Sequence, residues 1–184
     1  MIDFIDVVLS AAKDAQGDDK SVAHEDHRMR VNEMIQRIDH VNFVVGDMQR
    51  MVAFYRDVLG LRVTKQAVIS GPWIEAATGL SPVEAEVVFL EADDGPGIEL
   101  LHYRMPAGPR PDGLGRPNAQ GLRHVAFRVT DLDRLVAALE AAGLQMLSAV
   151  QQVPPAQVDY ADQRKRLVYC RDPEGNLLEL CNLR

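Results

Sequence analysis

Two histidines and two glutamates carry the chemistry legible in this sequence. His40 opens the run HVNFVV and His124 the run HVAFRV, while Glu99 sits in GIELLHY and Glu179 in NLLELCNL. A carboxylate inside an apolar run is costly to bury unless it is paired with a cation or bound to a metal. Something cationic is therefore expected beside each glutamate. Imidazole nitrogens and carboxylate oxygens together make a mixed donor set suited to one divalent ion. A single His in a strand is ordinarily structural; four such residues recurring at matched positions point to a joint site.

The matching comes from an internal repeat. IDHVNFVVGDMQRMVAF, from Ile38, aligns with LRHVAFRVTDLDRLVAA, from Leu122. One constant shift carries His40 onto His124, Val41 onto Val125, Phe43 onto Phe127, Val45 onto Val129, Asp47 onto Asp131 and Arg50 onto Arg134. Each copy alternates like a strand and changes to helical spacing after its Asp, a residue suited to capping a helix N-terminus. The helices should run to about Val58 and Ala142, with Gly60 and Gly143 as left-handed ends. Three strands are then predicted in each copy, over 61–69, 86–91 and 97–104, and over 145–153, 166–171 and 176–183. Turns at 93–97 and 172–176 separate the last two strands. The fold class is thus α+β, built from two βαβββ modules at 37–104 and 121–184. A Pro- and Gly-rich linker (105–120) joins them, and an N-terminal helical arm (1–36) precedes them. The additional stretch 71–79 should hold a short helix with Pro72 in its first turn.

Alternation assigns faces. Val41, Phe43 and Val45, like Val125, Phe127 and Val129, should pack on the helices, which turns His40 and His124 to the opposite face. Asn42, Tyr103, Arg128 and Cys181 share faces with the four candidate ligands. Asn42, Tyr103 and Arg128 are expected to bind substrate, with Arg128 able to grip a carboxylate or phosphate or to form a salt bridge. His102 falls on the other face and reads as structural. Trp73 and Glu75 could cover the site by position alone, and His24 and His27 in the arm lack a rigid scaffold for metal binding.

The motifs IDHVNFVVGDMQRMVAFYRDVLGLRV, GIELLHY, LRHVAFRVTDL and RDPEGNLLEL resemble the vicinal oxygen chelate superfamily, over residues 38 to about 183. That superfamily includes glyoxalase I, methylmalonyl-CoA epimerase, extradiol dioxygenases and the fosfomycin- and bleomycin-resistance proteins. The resemblance implies a curved mixed sheet that cups a metal site, with His40 and Glu99 from the first module and His124 and Glu179 from the second. The His, Glu, His, Glu order is similar to glyoxalase I. It implies a metal-dependent isomerase, epimerase or lyase that stabilises an enediolate or enolate during proton transfer next to a carbonyl. Glu99 and Glu179 are then the catalytic candidates, with the resemblance leaning to Glu179 as base. The cofactor implied is one divalent ion: Zn, Ni, Co, Mn or Fe. A metal-dependent dioxygenase and a metal-free binding protein of the bleomycin-resistance type are the alternatives.

Composition bounds the partners. A formal charge of −7 and a pI near 5.2 argue against general nucleic-acid binding. The first residues carry acids where a signal peptide wants bases, and no apolar run approaches a membrane span, so a cytoplasmic protein is expected. Cys170 and Cys181 read as packed free thiols. The expected partners are a small molecule with vicinal oxygens and a second copy of the chain in a homodimer. Nothing resembles a nucleotide-binding glycine loop or HExxH, and no basic cluster is placed for glutathione.

Overall fold

The computed structural model describes residues 35–184, so all but the last two positions of the predicted arm, His24 and His27 included, lie outside the described residues. The first module opens with β1 (His40–Val44). Val41, Phe43 and the buried Val45 pack on the core, as alternation requires. Asp47 then caps α1 (Met48–Ala53), its side chain accepting from the Arg50 amide. The helix widens into a π-turn over Phe54–Val58. This wider turn keeps two neighbouring aromatic residues, Phe54 and Tyr55, inside the core together.

Gly60, at φ +79°, breaks the helix, and β2 (Arg62–Ser70) follows. Next comes α2 (Pro72–Thr78), with Pro72 in its first turn and a left-handed Gly79 as its cap. Glu75 of α2 accepts from the Ser81 hydroxyl and the Val83 amide, so it closes the turn into β3 (Glu84–Glu91). β4 (Gly97–Met105) completes the module. The sheet order is β1-β4-β3-β2, with β1 parallel to β4 and the remaining pairs antiparallel.

The second module repeats this plan with β5 (His124–Arg128), α3 (Leu132–Ala141), β6 (Gln151–Gln152), β7 (Lys165–Arg171) and β8 (Leu177–Leu183), in the order β5-β8-β7-β6. Asp131 caps α3 through the Arg134 amide, as Asp47 caps α1. One element falls short of expectation. The strand predicted over 145–153 pairs only at Gln151 and Gln152, with a lone bridge from Met146 to Cys170. The Ser148 hydroxyl and the Gln151 side chain both donate to the Ala149 carbonyl, and Pro154 and Pro155 end the run.

α1, α3 and the inner faces of both sheets share one hydrophobic core, in which Met51, Tyr55, Leu90 and Leu100 meet Leu132, Leu139, Val168 and Leu180. A smaller cluster under α2 holds Ile74, Val83, Ala85, Val87 and Leu101 on the opposite face of the first sheet. Both cysteines are buried free thiols, and burial pushes the Cys170 thiol up to about 11. Among the described residues no helix is long and apolar enough to cross a membrane.

A polar clasp joins the modules across this core. In the turn between β7 and β8, buried Asp172 accepts from the amides of Glu174 and Asn176 and from the Asn176 side chain. It also accepts from the Tyr55 hydroxyl of the first module, at 3.2 Å. Burial raises the proton affinity of both groups, Tyr55 and Asp172. The turn so fixed presents the Glu174 carboxylate to the free amides of Gly46 and Asp47 at the start of α1, at 2.7–3.0 Å. An anion at a helix start is favourable because those amides have no partner within the helix. Tyr55→Phe should therefore lower the unfolding free energy by about 1–3 kcal/mol, the cost of leaving a buried acceptor short of a donor. Urea unfolding followed by circular dichroism measures it, and a change within error would mean that the clasp contributes nothing to stability.

Candidate functional site

Parallel pairing of the first and last strands builds each half of the site. In the first module Asn42 lies opposite Glu99, and His40 stands one pleat away on the same face. The His40 Nε2 comes 3.4 Å from Glu99 Oε2, and the Asn42 amide donates to the same oxygen at 2.7 Å. Asp39 lies 3.0 Å from His40 Nδ1. A carboxylate on one ring nitrogen fixes the tautomer and leaves the other nitrogen's lone pair free for a metal. The Phe89 ring, directly across the ladder from Glu99, meets the His40 ring edge-on at 5.8 Å.

The second module repeats the pair. His124 Nε2 lies 3.4 Å from Glu179 Oε2. Tyr169, across the ladder from Glu179, meets the His124 ring edge-on at 5.3 Å and donates its hydroxyl to Glu179 Oε2 at 3.1 Å. Ala126 occupies the place of Asn42 and offers no donor. Lys165 takes over that task, its Nζ 2.7 Å from Glu179 Oε1. The hydrogen bond to Glu179 raises the Lys165 ammonium above its ordinary value, whereas the Tyr169 phenol is raised first by burial and then by Glu179.

The two halves differ in exposure. The histidine side chains are 38% and 37% exposed, but Glu99 is 17% exposed and Glu179 only 5%. A carboxylate so enclosed needs its cation, and Lys165 is that cation. Within one chain the pairs stay apart: among the described residues no three His, Cys, Asp or Glu side chains come close enough together to hold a metal.

The other predicted residues are placed as follows. Asn42 touches Glu99, while Tyr103 lies further along the same face of β4, packed on the cluster under α2. Both line a cavity of about 580 Å³ between β1, β5 and the linker, and His124 lines it too. Arg128 sits opposite Cys181 at the exposed end of β5 and makes no hydrogen bond or ion pair among the described residues. Cys181 is buried. His102 holds the Val45 carbonyl at 2.8 Å, a structural contact, and Trp73 is exposed on α2. Asp39, Phe89, Lys165 and Tyr169 are neighbours that reading the strands one at a time missed. Pairing the last strand with the one before it would have found Phe89 and Tyr169, since the same ladder step places an aromatic ring opposite each glutamate.

Residues 37–180 match the model of the family described as Glyoxalase/Bleomycin resistance protein/Dioxygenase superfamily. The chain is 30% identical over 146 residues to the uncharacterized protein YaeR of Escherichia coli, covering 79% of this chain and 95% of that one. It is 27% identical over 150 residues to a 2-epi-5-epi-valiolone epimerase of an Actinomyces species, covering 79% of each. Among solved structures, a glyoxalase family protein from Bacillus cereus superposes with a TM-score of 0.69 at 29% identity, over 81% of this chain and 95% of that one. With the repeat, the βαβββ modules and this match in agreement, the chain belongs to the glyoxalase/bleomycin resistance protein/dioxygenase superfamily.

Proposed function

We propose that the protein is a metal-dependent isomerase, epimerase or lyase that moves a proton next to a carbonyl of a small molecule, and that its sites form between two copies of the chain. The observation that carries this reading is the pair of matched His–Glu half-sites, each with an exposed imidazole. Each half supplies one nitrogen and one carboxylate, so two halves give the four-donor set of a divalent ion. His40 and Glu99 of one copy, with His124 and Glu179 of another, would hold the ion. Val44, an exposed valine on the same face as His40 and Asn42, supports contact with a partner there. The 2-epi-5-epi-valiolone epimerase among the relatives supports the proton-transfer class. A bound divalent ion supplies Lewis-acid stabilisation of the charge that develops on the substrate's oxygens.

The chain's own residues divide the remaining work. Lys165 and Tyr169 hold both oxygens of Glu179, which suits it to a fixed ligand. Glu99 is tied only through Oε2, to His40 and Asn42, and is the more exposed of the two. We therefore assign proton collection to Glu99 rather than to Glu179, the carboxylate that the resemblance favours. Asn42 steadies Glu99 through Oε2, which leaves Oε1 of Glu99 to take the substrate's carbon-bound proton. Asp39 keeps the His40 ring oriented.

Purified protein should carry about one equivalent of a transition metal per chain by elemental analysis, as the four-donor set requires. Protein with no metal and no uptake of Zn, Ni, Co, Mn or Fe would leave a binding module instead. The two carboxylates should also separate on substitution. Deuterium exchange at the carbon beside the carbonyl is followed by NMR across α-hydroxycarbonyl compounds and acyl thioesters. Metal-loaded Glu99→Gln should exchange about 100- to 10,000-fold more slowly than the parent, the usual worth of a general base. Glu179→Gln should chiefly weaken metal binding. Equal exchange by parent and Glu99→Gln would place the base elsewhere.

A further inference from the structure

A second cavity, of about 420 Å³, lies between the linker and the turn that joins β7 to β8, lined by Arg110, Arg116, Arg171 and a run of glycines. These arginines are unlike others in the chain. Arg56, Arg62, Arg104, Arg166 and Arg184 each pair with a carboxylate. Arg110 and Arg171 instead donate to main-chain carbonyls, of Glu174 and Gly115, and the Arg116 side chain has no ion-pair partner among the described residues.

Each guanidinium stem rests against a glycine. A methyl group on Gly115 would meet Arg171 Nε at 2.6 Å, one on Gly175 would meet Arg110 Nη2 at 3.3 Å, and one on Gly113 would meet Arg116 Cδ at 3.7 Å. Gly113 and Gly175 also adopt φ of +79° and +84°, which side-chain-bearing residues rarely do. The glycines thus let three cations lie against the backbone, each with N–H groups to spare. Asp112 is the single carboxylate in the lining. Three guanidinium groups against one carboxylate leave an excess of two positive charges, in a chain whose net charge is −7. That excess matches a phosphate group, which carries about −1.5 to −2 charges at neutral pH, better than it matches a monocarboxylate. Arginine forks fit phosphate oxygens in pairs.

We propose that Arg110, Arg116 and Arg171 form a phosphate-binding site. Arg110 also lines the larger cavity that holds Asn42, Tyr103 and His124. If the proposed catalytic reading holds, the phosphate then belongs to the substrate, whose carbonyl end reaches His124 through that cavity. The binding site itself does not depend on that reading.

The test titrates the metal-free full chain with inorganic phosphate and follows the backbone amides of Gly113, Gly115 and Gly175 by NMR. Saturable shifts at these three amides are expected, weaker with acetate at equal concentration and weaker at high salt. Arg116→Gln, which removes a cation that holds no main-chain group, should weaken phosphate binding by about tenfold. Gly115→Ala should also weaken binding while keeping every charge, because it pushes Arg171 from its seat. No shift at millimolar phosphate, equal response to acetate, or unchanged affinity in both variants would overturn the proposal. Metal content, measured on the same variants, should stay at the parent value. Failure of phosphate binding in protein that still takes up metal would count against this site alone, and protein that bound phosphate but took up no metal when it was offered would count against the catalytic reading alone.

Discussion

Parallel pairing between the first and last strands of each module is the constraint on which the site depends. A parallel pair cannot be joined by a tight turn; it needs a crossover, here a helix and two more strands. The crossover brings residue 40 beside residue 99 and residue 124 beside residue 179, and the pleat then turns each His and Glu to one face. The opposite face is left apolar, and the helices cover it. A one-residue slip of β1 or β5 would bury an imidazole and expose valine and phenylalanine side chains, so the same hydrophobic pattern that builds the core also keeps the site in register.

The halves solve the burial of a carboxylate differently. In the first module the donor comes from the neighbouring first strand, through Asn42, and the glutamate keeps some exposure. In the second, Ala126 offers nothing, and Tyr169 and Lys165 reach over from the other side. A cation beside an enclosed carboxylate offsets the desolvation that a neutral donor could not. Two copies of one unit have thereby become a looser carboxylate and a fixed one. The inter-module clasp through Tyr55, Asp172 and Glu174 ties these unlike halves together over one shared core.

Much of this was legible in the sequence because period and repeat act locally. The faces of β1 and β5, the caps Asp47 and Asp131, and the short helix after Pro72 all follow from neighbouring residues. What the sequence left hidden depends on contacts across strands. Lys165 and Tyr169 stand four residues apart in a strand whose partner register no periodicity reveals, and Lys165 fell one residue outside the predicted strand. The short β6 was hidden by two side chains that take the Ala149 carbonyl for themselves. The separation of the two His–Glu pairs within one chain is a matter of how modules pack, which repeated motifs do not encode.

That separation gives the central claim its sharpest test. A His40→Ala chain lacks one half-site and a His124→Ala chain lacks the other, so neither should bind metal tightly alone. Mixed and allowed to exchange subunits, they form dimers with one doubly broken site and one site made wholly of parent residues. Isothermal titration with Zn should then recover about half an equivalent of tight binding per chain in such mixed dimers. If the mixture binds no more metal than the separate variants, although mass spectrometry finds mixed dimers, the site does not form between two chains.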